Sequence, residues 1–308
     1  MIQSLVFADK ARAGVYLRLL GMAALWGASW PMGRVVVLTM PPLLGACLRF
    51  VFASTLLMVW WLHAGGPKRM GRLSLRQWGA LAMASATGIF GYALFFMWGL
   101  QHVPAGRAAM VIALNPAATL LLAAVFLRER LNAPILFGMA LAMVGAVTAL
   151  SVGEPWKLIQ GGMGSGELIV LGCVACWAIY TLIGRQLQSM DSLSITTMTA
   201  LMGAAMLFVA SWVVEGPRAW ATLAQTPATT WLSIVGLALG ATVLAYAWFL
   251  DGVKTLGASA AAAFISLVPI FGVLFSSLWL GERIDLSLAV GGAFAVVGML
   301  VMHWGRKR

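Results

Sequence analysis

Apolar runs long enough to cross a bilayer, divided by short polar or Pro/Gly-containing gaps, constrain this chain more than any other feature. A helix needs about 20 apolar residues to span the hydrocarbon core. Ten stretches qualify: Val15–Leu38, Pro42–His63, Trp78–Leu100, Ala105–Leu127, Pro134–Val152, Gly166–Leu187, Leu193–Val214, Trp231–Leu250, Gly257–Leu280 and Leu286–Trp304. In lipid, backbone N–H and C=O groups must be satisfied within the segment, so these runs predict helices. The remaining residues could not wet a globule: 62% are hydrophobic and 9% charged, against about 25% charged in a soluble domain. A soluble enzyme, a disulfide scaffold and a disordered chain are excluded. The prediction is an all-α polytopic membrane protein, with the lipid bilayer as its first partner.

The gaps at Gln101–Pro104 and Asp251–Leu256 are weak hydropathy minima, so nine helices are an alternative. Charge decides for ten. With a cytoplasmic N-terminus, the inner side holds most of the 20 Lys and Arg residues, including the Lys68–Arg76 cluster and the Arg306-Lys307-Arg308 tail. The outer side holds Arg34, Arg107, Lys157, Arg218 and Arg283. This bias places both termini in the cytoplasm, which requires an even number of spans. The net charge of +11 thus reads as membrane topology, not as a nucleic-acid surface. The first 13 residues contain too short an apolar run for a signal peptide, so the first long run is expected to remain as a helix.

The halves match each other. Gly21, Trp26 and Gly33-Arg34 align with Gly172, Trp177 and Gly184-Arg185, an offset of 151. Gly99, Ala105, Pro116, Glu129-Arg130 and Gly145 align with Gly252, Ala258, Pro269, Glu282-Arg283 and Gly298, an offset of 153. Residues 1–152 form one five-helix repeat and 166–308 the other, joined by an extracytoplasmic linker, 153–165. Five is odd, so the second repeat enters the membrane inverted. Many secondary transporters are built this way, because inverted halves give equivalent states open to opposite sides.

The Leu25-Trp26-Gly-Ala-Ser-Trp30-Pro31 stretch, and Pro116 and Pro269 each followed after twelve residues by Glu-Arg, carry a family resemblance. The chain resembles the drug/metabolite transporter superfamily, specifically its two-copy EamA-type members, over nearly its whole length. The resemblance implies ten helices around a central cavity, cytoplasmic termini, and export of metabolites, often amino acids, from bacterial cells. The second half departs from the pattern, with Trp177-Ala-Ile-Tyr180-Thr181 where the first has Trp-Gly-Ala-Ser-Trp.

Nine carboxylates are present, and the predicted spans put all of them at helix ends or in loops. A carrier of cations, or a carboxylate-based proton antiporter, would place one near the midplane. Neutral, zwitterionic or apolar solutes remain. Arg49 is the deepest base. Its long side chain can snorkel to the outer headgroups; the alternative is a carboxylate-binding site, and reach favours the headgroups.

Aromatic residues mark a candidate site. Trp26 and Trp30 share a helix face, as do Trp177 and Thr181, with Tyr180 beside them. Tyr92 and Phe96 share a face of the third helix, and Phe95 and Trp248 are repeat equivalents. Asn115 precedes Pro116, and Ser266 lies near Pro269. Matched helix breaks in inverted halves point to a transporter's binding region. The predicted substrate-binding set is Trp26, Trp30, Tyr92, Phe95, Asn115, Trp177, Tyr180, Trp248 and Ser266. Packing or lipid contact is the competing account of the indoles.

No catalytic residue, metal site or cofactor is predicted. Cys173-Val-Ala-Cys176 is embedded in an apolar helix and reads as small filler. His63, His102 and His303 lie at separate helix ends. There is no HExxH, no GxSxG and no phosphate loop. The leading reading is a secondary transporter in the cell inner membrane, exporting a small neutral or zwitterionic metabolite by alternating access, with an aromatic or apolar amino acid as one candidate. The alternatives are a multidrug or sugar/nucleotide-type carrier of the same fold, a channel-like subunit, or a membrane-embedded enzyme. Oligomeric state is not legible in the residues.

Overall fold

Proline and glycine punctuate the chain where the apolar runs stop. Pro41-Pro42, Pro104, Pro134 and Pro227 stand at or just before helix starts, where a missing N–H costs nothing. Gly257 and Gly281 take positive φ at helix ends. The computed structural model describes residues 2–128, 131–151 and 165–305, with the backbone alone over 2–12 and at 165, 258 and 259. Linker residues 153–164, Glu129-Arg130 and the Arg306–Arg308 tail lie outside the described residues; Ser165, the last linker residue expected, already belongs to a helix.

The fold is all-α. Helix α1 runs Ile2–Thr39. Nine further helices are long and apolar enough, among the described residues, to cross a membrane: α2 Pro42–His63, α3 Leu75–His102, α4 Ala105–Leu127, α5 Ala133–Leu150, α6 Gly166–Leu187, α7 Ser192–Gln225, α8 Ala228–Leu256, α9 Ala260–Leu280 and α10 Leu286–Gly305. The breaks after α3 and α8 are real, so those spans do not merge. It is α1 that falls short in hydropathy, because Arg18, Trp26, Ser29, Trp30, Pro31 and Arg34 interrupt its apolar residues. Its position explains this. Helix α1 packs against α3, α4, α8 and α9, so much of it meets protein rather than lipid. The outward faces of other helices are apolar and exposed, as at Val125, Phe126, Phe137, Val213 and Leu232. In water such a surface would aggregate; in hydrocarbon it is solvated.

Contacts exchange between the halves. Gly99 of α3 meets Val170 of α6, while Gly252 of α8 meets Leu19 of α1. Each contact becomes the other when every residue is replaced by its repeat equivalent. The same holds where α5 crosses α10. A Cβ added at Gly145 would stand 2.4 Å from the Ala295 nitrogen, and one at Gly298 2.5 Å from the Ala142 nitrogen. The small-residue stripes therefore serve helix packing within the chain, as close backbone approach in a bilayer requires.

Among the described residues three helices contain a wide π turn: α3 at Ser85–Gly91, α7 at Ser211–Glu215 and α8 at Gly236–Leu244. Those in α3 and α8 are repeat equivalents. The proline breaks fall where expected. Helix α4 tightens to a 3₁₀ turn at Ile112–Leu114, just before Asn115-Pro116. Helix α9 is interrupted at Ser266-Leu267, just before Val268-Pro269.

Candidate functional site

Tight and wide turns in four helices open a space between the halves. Its inner chamber has a volume of about 90 Å³ and is walled by every helix except α5 and α10. A vestibule of about 420 Å³ adjoins it and shares Trp26, Asn115, Trp177, Tyr180 and Tyr246 with it. The vestibule extends along Thr119, Gly184, Ser192 and Leu250, toward the end of the molecule that carries the α6–α7 turn.

Helix α1 supplies two indoles. Trp26 Nε1 donates to the Ala241 carbonyl at 2.9 Å. That carbonyl lies in the π turn of α8, so the turn gives a buried indole the acceptor it needs. The Trp26 ring meets Tyr246 edge-on at 5.3 Å between centroids. Trp30 is 2% exposed and packs on Phe96 at 4.8 Å. From Phe96 the rings continue through Tyr92 to Trp177 and Tyr180, with centroids about 6 Å apart. Gly88, in the π turn of α3, lets Tyr180 lie against its backbone; a Cβ there would come 2.3 Å from the ring.

Of the nine residues singled out in the sequence, Trp26, Trp30, Tyr92, Asn115, Trp177 and Tyr180 line the inner chamber, and Ser266 lines the vestibule. Phe95 and Trp248 are placed elsewhere. Phe95 covers Gly172 of α6, and Trp248 covers Gly21 of α1. They are repeat equivalents, as are the glycines beneath them, so they make one exchanged packing contact. A single helix position turns the side chain by about 100°, which separates Phe95 from Phe96. Sequence reasoning missed Tyr246 and Thr242. Residues 246 and 93 correspond across the repeat, and position 93 is alanine, so the repeat gave no signal there.

Arg49 differs from the snorkelling expectation. It lines the inner chamber instead of reaching the outer headgroups. Its Nε and one Nη each donate to Thr242 Oγ1 at 3.4 Å, and Thr242 in turn donates to the Leu237 carbonyl at 2.9 Å. The guanidinium carbon lies 5.0 Å from the Phe50 ring centroid and 5.6 Å from that of Phe96. Among the described residues no carboxylate pairs with it, and no Asp or Glu lines either chamber. Asn115 is 7% exposed, and its Oδ1 is buried with no hydrogen-bond partner among the described residues.

Polar contacts tie helices together at the end of the molecule opposite the α6–α7 turn. Glu282 accepts from the Ala105 and Gly106 N–H groups at 2.7 and 2.8 Å, meeting the positive end of α4. Arg107 pairs with Asp285. Glu215 accepts from Leu43 and Leu44 at the start of α2, at 2.8 Å each. Arg34 donates to the Leu100 carbonyl. Among the described residues no three His, Cys, Asp or Glu side chains cluster as metal ligands.

Comparison with known proteins agrees with this architecture. The sequence profile described as "EamA-like transporter family" matches residues 13–151 and again 164–304. The chain is 27% identical over 288 residues to the uncharacterized transporter YyaM of Bacillus subtilis, covering 93% of this chain and 92% of the relative. It is 28% identical over 264 residues to a probable terminal-alkyne amino-acid exporter of Streptantibioticus cattleyicolor, covering 84% of each. A protein of known crystal structure shares the fold, with a TM-score of 0.63 and 21% identity over 94% of this chain and 96% of that one.

Proposed function

The chain belongs to the EamA-like transporter family, and from that premise we propose that it is a secondary carrier exporting a small neutral or zwitterionic metabolite by alternating access. Family membership makes it a membrane transporter and not an enzyme. The observation that carries the finer reading is the inner chamber: rings from α1, α3, α6 and α8 surround it, and no Asp or Glu lines it among the described residues. Such walls take an apolar or aromatic side chain and give a bare cation no counter-charge. An amino acid fits, and the exporter relative supports that class.

In this reading α1 also crosses the membrane, making ten spans in two inverted repeats. The exchanged contacts of α1 with α8 and α3 with α6 support the repeat. The Lys/Arg bias supports cytoplasmic termini, and a bacterial inner membrane is the site. The vestibule then faces the cytoplasm, and the Glu282 and Arg107 contacts close the outer side. This is the inward-facing member of a pair of states.

The test is counterflow in proteoliposomes with a panel of labelled amino acids, drugs and sugars. We expect trans-accelerated exchange of an amino acid with an apolar side chain. Trp177→Ala or Asn115→Ala should weaken it about 2- to 10-fold, the size of one aromatic or hydrogen-bond contact, with thermal stability nearly intact. Exchange of drugs or sugars alone would overturn the substrate class. Flux without counterflow would identify a channel.

A further inference from the structure

We infer that Arg49 is the anion-binding group of the inner chamber, and that the solute carried through it bears a carboxylate. This rests on the carrier reading and narrows its substrate class.

A charged side chain at membrane depth is costly and stays where something compensates it. Here the compensation within the protein is incomplete. A guanidinium has five N–H donors in a planar fork. Among the described residues its hydrogen bonds both go to one hydroxyl oxygen, at 3.4 Å, which is long for N–H···O. The Phe50 and Phe96 rings attract the cation but accept no strong hydrogen bond. Arg49 is therefore oriented, by Thr242 and two rings, yet most of its donors remain for a ligand. The ligand geometry that matches a guanidinium fork is a carboxylate, bound through two parallel N–H···O bonds.

A second, independent group points the same way. Asn115 Oδ1 is a buried acceptor with no partner among the described residues, on another wall of the same chamber. Leaving a buried acceptor unpaired is unfavourable, so a ligand that brings an N–H donor is favoured there. Free donors on α2 and a free acceptor on α4 complement a molecule with both a carboxylate and an amine. The volumes agree with a division of labour. The inner chamber is the smaller, at about 90 Å³, which suits a headgroup. The vestibule, about 420 Å³ and mostly apolar, suits the side chain. The bland account makes Arg49 only a tie between α2 and α8. That account leaves the unused donors and the orphaned amide unexplained.

The experiment measures binding to the purified full chain in lipid nanodiscs by isothermal titration. Two series serve as probes: L-phenylalanine, 3-phenylpropionate and 2-phenylethylamine; and L-leucine, 4-methylpentanoate and isopentylamine. We expect the amino acid of at least one series to bind most tightly, its acid to bind more weakly, and its amine at least tenfold more weakly than the amino acid. Arg49→Gln should lower amino-acid and acid binding at least tenfold, and Arg49→Lys should restore part of it. Should Arg49→Gln fail to fold, the acid-against-amine comparison in the unaltered protein still decides. Amines binding as well as acids, normal acid binding by Arg49→Gln, or no binding of any acid or amino acid would each overturn the assignment. Counterflow of drugs or sugars beside such a result would leave the carrier reading standing; no counterflow of any solute would remove that reading itself.

Discussion

Replacing Gly145 by alanine should force α5 and α10 apart. The new Cβ would stand 2.4 Å from the Ala295 nitrogen and 2.5 Å from the Gly291 carbonyl oxygen, where ordinary contact begins at 3.4 Å. Both obstacles are backbone, so no side chain can swing aside. Relief requires the helices to separate by roughly 1 Å, which loosens the dispersion contacts along the rest of the seam. Overpacking of this kind costs ~1–3 kcal/mol. Backbone obstacles put the cost in the upper half of that range, and alanine returns ~1 kcal/mol through its better helix propensity, leaving a net loss of about 1–2 kcal/mol. At roughly 2–4 °C per kcal/mol, thermal unfolding in detergent should fall by about 2–8 °C. Gly298→Ala should match it, since its Cβ meets Ala142 in the exchanged arrangement. The double variant should lose less than the sum, because helices already parted accept the second methyl more easily. Gly79→Ala is the control: nothing lies within 4 Å of its added Cβ, so its unfolding temperature should hold or rise. Wild-type stability in Gly145→Ala, or equal losses in Gly145→Ala and Gly79→Ala, would refute the reasoning.

Two further outcomes follow from the polar contacts opposite the α6–α7 turn. Glu282→Gln removes the charge that meets the α4 N-terminus through Ala105 and Gly106; it should lower the unfolding temperature by an amount on the order of 1 kcal/mol, and unchanged melting would mean the contact is dispensable. Asp285 accepts from the Ser287 hydroxyl, with the Leu288 N–H and Arg107 beside it, and these hold its carboxyl below its ordinary value. A depressed folded-state pKa stabilises the protein above the unfolded value, near 4, and that contribution disappears as pH falls through the folded one. Asp285→Asn should therefore flatten the acid side of the melting-temperature profile, and identical profiles below about pH 4 would contradict this.

Most of the fold was legible because hydrocarbon imposes strict rules. Apolar length located nine helices that the structure also has, and Pro116 and Pro269 marked the breaks in α4 and α9. Helix α1 was placed by apolar length as well, although it is less apolar than the other nine, since a helix that faces protein can carry Trp26, Ser29 and Arg34 in place of lipid-facing residues. The site was legible where two aromatics stood four apart, as in Trp26/Trp30 and Tyr92/Phe96. It was less legible at Phe95 and Trp248, where repeat equivalence signified equivalent packing on Gly172 and Gly21. For Arg49, depth alone could not tell whether the side chain points out or in. That depends on Thr242, a residue 193 positions away that no local pattern connects to it.

The wide turns in α3 and α8 reverse a familiar rule about deletions. In a regular helix, losing one residue turns everything beyond it by about 100°, carrying buried side chains to the lipid face. A π turn holds one residue more than the α-helical ladder needs. Removing a residue within Ser85–Gly91 or Gly236–Leu244 can therefore close the ladder while leaving both flanking faces in phase. At these two places the chain holds a spare residue, and what it supports is local: the gap through which Gly88 admits Tyr180, and the free Ala241 carbonyl that holds Trp26. Length variation within these turns would alter the shape of the chamber and leave the surrounding bundle in register.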